Sequence, residues 1–184
     1  MKPRTYLVAL AAVFVAVPVC AQQSGTAAGK GSIERLQPSG TAEHVAFSPR
    51  YAYAYGEGSG AKRSTWIVLT EKEPPLEDWL AARDAAEARR QWCEKEKTSF
   101  VALKLDPQFK VDLYFLCPAN GGVNTEMLST WNGLDSVVAT FEVRDPKRLK
   151  GRILTGNGSC PAPNGGQAYC TATGDYTFDA PIVR

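Results

Sequence analysis

The side chains most able to do chemistry here are five cysteines, one histidine, His44, and a scatter of carboxylates. Zinc is held by cysteine and histidine at short spacings, and no such spacing accompanies His44, so no metal site is expected. A serine or cysteine nucleophile needs a base such as histidine beside it. Ser59 and Ser159 lie in glycine-rich turns. Neither has glycine both two residues before and two after it, so neither forms a nucleophile elbow. His44, just ahead of a strand-like run, reads as a structural residue.

Paired carboxylates can hydrolyse a glycosidic bond when an acid and a base or nucleophile flank it. Asp112, Glu126, Asp135 and Glu142 are available for such a pair, without a local signature. The glycine-rich stretches 56–60 and 156–158 lack the Lys-Ser or Lys-Thr pair that cradles phosphate at a helix start, and read as turns. No catalytic set and no cofactor is expected. Asn157-Gly158-Ser159 matches a glycosylation acceptor, which matters only in a eukaryotic source.

The fate of the cysteines depends on the N-terminus. Lys2 and Arg4 precede an apolar run over 6–17, and Val19-Cys20-Ala21 is followed by Gln22 and Gln23. That order of charge, short apolar run and small-residue end describes a secretory signal peptide over 1–21. The run is shorter than the roughly 20 residues of a bilayer span, so no membrane anchor is expected after cleavage. Val19 departs from the small residue that a bacterial lipobox places before its cysteine, so Cys20 reads as part of the cleavage region. Four cysteines then remain, Cys93, Cys117, Cys160 and Cys170, and in an exported chain these suggest two disulfides.

Charge points the same way. The full chain of 184 residues carries 21 Lys and Arg against 19 Asp and Glu. Losing Lys2 and Arg4 brings it to neutrality. A nucleic-acid partner is not expected, because such proteins concentrate a basic excess on one face. At 44% hydrophobic and 22% charged, the chain is too apolar for disorder and too short of long apolar runs for a multi-span membrane protein.

These cysteines must be positioned by a β-rich frame. Residues 22–40 are rich in Gly, Ala, Ser and Gln and read as a flexible leader, with Ile33 and Leu36 offering at most a short edge strand. A single domain is expected over 41–184. Its strands are placed at 43–47, 50–55, 62–70, 99–105, 109–117, 137–144, 150–155, 167–173 and 176–183. Pro74-Pro75 opens one long amphipathic helix over 76–97. Arg83, Glu87, Arg90 and Glu94 form its charged ladder; Ala81, Ala82, Ala85, Ala88, Trp92 and Cys93 form its buried face. The fold class is α+β: a mainly antiparallel sheet of about eight strands, curled or sandwich-like, with the helix on one face.

Topology then pairs the cysteines. The strand after the helix leads away from it, Asp106-Pro107-Gln108 turns the chain, and the next strand returns Cys117 to the place where Cys93 leaves the helix. Cys160 and Cys170 flank a turn-rich loop and can close its neck.

Contact residues come from two places. Tyr51, Tyr53 and Tyr55 alternate with Ala52 and Ala54, so one strand face carries three phenols and the other two methyls. With the alanine face set against the alanine-rich helix, the tyrosines face outward as a binding surface; otherwise they cover a second core. Trp131, in an unpatterned stretch, is a further contact candidate. The reading favoured is an exported, periplasmic or secreted, non-catalytic protein that recognises another protein, of inhibitor or toxin-immunity type. The alternative is a module that binds or hydrolyses cell-wall or extracellular polysaccharide.

Overall fold

The computed structural model describes residues 24–36, 42–60, 63–117, 119, 126–129, 137–157, 160–161, 167–168 and 171–183. In chain order the first strands are β1 (Gly25–Leu36), β2 (Ala42–Phe47), β3 (Tyr51–Glu57) and β4 (Ser64–Thr70). Two helices follow, α1 (Leu76–Ala81) and α2 (Ala85–Glu96). Then come β5 (Phe100–Leu105), β6 (Val111–Cys117), β7 (Glu126–Ser129), β8 (Val137–Asp145) and β9 (Arg148–Asn157). The chain ends with the short β10 (Cys160–Pro161) and β11 (Gln167–Ala168) and the long β12 (Thr171–Val183).

Ten strands form one sheet in the order β7-β6-β5-β4-β3-β1-β12-β9-β8, with β2 alongside β1. Every pairing within it is antiparallel except the short contact of β12 with β3. It is not a sandwich of two layers. The sheet curls until Phe109, in the β5–β6 turn, meets Phe141 on the edge strand β8, their rings 5.6 Å apart and edge to face. Asp106 shapes that turn by accepting the amides of Gln108 and Lys110, each at 2.8 Å.

Burial differs between the two halves of this sheet, and the strand sequences say why. β8, β9 and β12 alternate, sending Val137, Leu149, Ile153, Tyr176 and Phe178 into the concave core and charged residues to solvent. On the wet face Lys150 pairs with Glu142 at 2.6 Å, Arg148 with Asp179 and Arg152 with Asp175. β4 and β5 read instead as nearly unbroken apolar runs, because both of their faces are covered. Ile67, Leu69, Val101 and Leu103 join the concave core, while Trp66, Val68, Phe100 and Ala102 face the helices.

Three expectations change here. Residues 25–36 are no leader: β1 lies between β12 and β3 and pairs with both. Its glycines are packing requirements. A Cβ on Gly31 would lie 1.9 Å from the Tyr176 hydroxyl, and one on Gly29, at φ +135°, 2.1 Å from the Asp175 carbonyl. Only glycine allows that approach.

The long helix is also two helices. Ala82 is extended at φ −68°, ψ 142°, and Asp84 caps α2 by accepting the amides of Ala86 and Glu87, both at 3.0 Å. A short acidic side chain that bonds the next backbone amides competes with helix continuation and favours a new N-terminus. Arg83 therefore falls in the break, and the ladder shortens to Glu87, Arg90 and Glu94, with Arg90 2.5 Å from each acid. Ala81 is exposed rather than buried.

On β3 the alanine face turns away from the helices, and the tyrosines cover a second core, the other reading of this strand. Ala52 and Ala54 line the concave core, where the strands crowd, and Tyr53 and Tyr55 lie under the helices at 4% and 5% exposure. They share that second core with Trp66, Trp79 and Trp92, the last two packed edge to face with centroids 5.2 Å apart. Burying each such ring contributes roughly 1.5–3 kcal/mol.

Of the two bridges, Cys93–Cys117 is present, joining the end of α2 to the end of β6 across a Cα separation of 6.5 Å. Cys170 lies outside the described residues, as does the side chain of Cys160, and with them the second pairing.

Candidate functional site

Three adjacent strands carry the site's floor. In register, Tyr55 of β3 stands beside Trp66 of β4, and Trp66 beside Lys104 of β5. Neighbouring side chains on one sheet face are close enough for rings to stack, and the Tyr55 and Trp66 rings do so, with centroids 6.3 Å apart and 14° between planes.

Arg89 comes down on this floor from α2. It falls four residues after Ala85, three before Trp92 and four before Cys93, so helical spacing alone sets it on the buried stripe. The residue is 1% exposed. Its guanidinium carbon is 4.6 Å from the Trp66 centroid and 5.8 Å from that of Tyr55. Its Nη1 donates to the Tyr55 hydroxyl. Lys104 approaches the same indole, its Nζ 5.5 Å from the ring centroid.

Acids near Arg89 are committed elsewhere. Glu57 accepts from Trp66 Nε1 at 3.0 Å and meets Lys104 Nζ at 2.6 Å. Asp84 caps α2. Among the described residues, Arg89 has no carboxylate within the 4.0 Å of an ion pair. A guanidinium has five N–H donors, and Tyr55 takes one.

Electrostatics follow from this packing. Burial draws the Arg89 guanidinium below its usual value, opposed by the Tyr55 hydroxyl, Glu57 and Asp84; a guanidinium stays charged nonetheless. Burial pushes the Tyr55 hydroxyl up to about 12, against the pull of Arg89. Burial alone would raise Glu57, but its bonds from Lys104 and Trp66 outweigh that and hold it below its usual range.

An open pocket of about 430 Å³ sits here, lined by Glu57, Trp66, Arg83, Asp84, Ala85, Ala86 and Arg89. A guanidinium over an indole recognises planar anionic groups by paired N–H donation and stacking. Its lining contains no hydroxyl, thiol or imidazole.

The residues expected from sequence scatter around this pocket. Tyr55 packs beneath it against Trp66 and Arg89, and Tyr53 stands beside a separate hollow with Glu73 and Pro74. Burial, then Glu73, push the Tyr53 hydroxyl up to about 12. Tyr51 is half-buried against the aromatic core. Trp131 lies outside the described residues, as does Asp135. Glu142 is taken by Lys150, and Asp112 lies exposed on β6. His44 is exposed on β2. Among the described residues no group of three or more His, Cys, Asp or Glu is placed to hold a metal, and no helix is long and apolar enough to cross a membrane. The sequence signals that locate the pocket are Arg89 on an apolar stripe and Asp84 three residues before Glu87, a capping pattern. No protein-family model, curated protein or solved structure matches the chain.

Proposed function

We propose that this chain is an exported, non-catalytic domain that recognises a partner protein, with the pocket at Arg89 as its contact point. One observation carries the reading: a buried guanidinium with no ion-paired acid among the described residues lines an open pocket on an aromatic floor. A buried charge is normally paired, and arginine and tryptophan are the residue types that dominate binding energy at protein interfaces. Export is supported by the Cys93–Cys117 bridge, since structural disulfides belong to oxidising compartments. The signal-like order of residues 1–21 agrees with it.

Ala86→Glu tests the reading. It adds a carboxylate at the pocket wall, in the first turn of α2 where the helix dipole favours an acid. The unaltered oxidised chain, immobilised, is expected to retain one protein in stoichiometric amount from a native envelope extract, and the variant to lose it while staying folded. Retention of insoluble glycan with no protein, or equal capture by both chains, contradicts the reading.

A further inference from the structure

We infer that the Arg89 pocket binds a carboxylate carried by a polypeptide, either an acidic side chain or a chain terminus; this rests on the partner-protein reading and gives it a chemistry. Charge is the first argument. Arg83, Arg89, Glu57 and Asp84 line the pocket, and Lys104, outside the lining, pairs with Glu57, which leaves a surplus of one positive charge. That surplus matches a monoanion, and the two acids disfavour a dianion such as phosphate.

Donor supply is the second argument. Phosphate is commonly held by the free amides at a helix start, but at α2 the Ala86 and Glu87 amides already go to Asp84. Arg89 is left as the anchor, and two of its four remaining N–H groups match the two oxygens of a carboxylate. Shape is the third. Ala85, Ala86 and Trp66 offer apolar walls to the short stem that carries such a group.

The experiment is an NMR titration of the oxidised chain, following the Trp66 indole N–H and the Arg89 Nε–H. Four probes are used: an acetylated tripeptide ending in a free carboxylate, the same peptide amidated, sodium acetate and inorganic phosphate. Saturable shifts at both signals are expected with the free-acid peptide. Acetate is expected to bind more weakly, and the amide and phosphate each at least about tenfold more weakly than the free acid. Ala86→Glu is expected to abolish the response. Equal binding of acid and amide, tighter binding of phosphate, or no saturable shift overturns the carboxylate assignment. Acetate binding as tightly as peptide overturns the polypeptide source. If Ala86→Glu blocks capture of a protein while the titration is negative, the partner reading stands and the carboxylate claim alone fails.

Discussion

The Arg89 guanidinium lies 4.6 Å from the centroid of Trp66, joining α2 to the middle of the sheet, and the acid that Trp66 meets, Glu57, is held by the indole N–H and by Lys104 rather than by the arginine. Helix docking and the proposed partner recognition thus share one side chain. The cation–aromatic contact contributes on the order of 1–2 kcal/mol when desolvated, and the burial of its charge leaves a binding capacity behind.

Tyr55→Phe removes the acceptor that Arg89 uses. The ring stays, and a buried donor loses its partner, so a loss of about 1–3 kcal/mol is expected. Urea unfolding should show a lower midpoint with an unchanged slope. A variant as stable as the parent contradicts the arrangement.

Alkaline pH acts on the same residue. Tyr53, Tyr55 and Tyr176 are each pushed from 10.0 up to about 12, by burial first. Between pH 10 and 12 the unfolded chain releases protons that the folded chain keeps, so the unfolded state binds fewer and stability falls as pH rises. Tyr55→Phe should lessen that fall. Acid works in the other direction on Glu57, which is held below its usual value; its contribution is complete above the ordinary carboxylate range and is lost as pH falls through the lowered one. Glu57→Gln should make unfolding less steep on the acid side, and an unchanged profile for either variant contradicts these assignments.

Asp84→Ala removes the cap of α2. A loss of about 1 kcal/mol is expected, and Asp84→Asn should restore most of it. Circular dichroism separates this from the alternative: a gain in helix content in the alanine variant would mean that the break at 82–84 is not set by the cap.

Replacing Cys93 and Cys117 by serine together should lower stability by about 3.5 kcal/mol, the figure for a loop of 24 residues in the chain-entropy model. Reductant should then affect the parent chain and leave the double variant unchanged in this respect. Equal sensitivity of both would show that another bridge dominates.

Much of this frame is legible before folding. The strand runs, the Asp106 turn and the Cys93–Cys117 pairing follow from local chemistry and from a strand leaving and returning. Alternation shows that Tyr53 and Tyr55 share a face, but which face the helices cover depends on the curl of the whole sheet. β1 is concealed because its glycines carry no side chain to signal a strand. They are selected by neighbours such as Tyr176 and Asp175, which are far along the chain. Arg89 was masked by charge, since an arginine among alanines on a helix suggests a solvent face until its burial is seen.

The most direct measurement places a photo-activated cross-linking residue at Arg83, on the rim of the pocket, and another at Thr177, exposed on the opposite part of the sheet. Irradiation in the native envelope is expected to give one discrete protein adduct from position 83 and none from 177, with the adduct lost when Ala86→Glu is added. No adduct at 83, or the same adduct from both positions, would contradict a partner-binding site at Arg89.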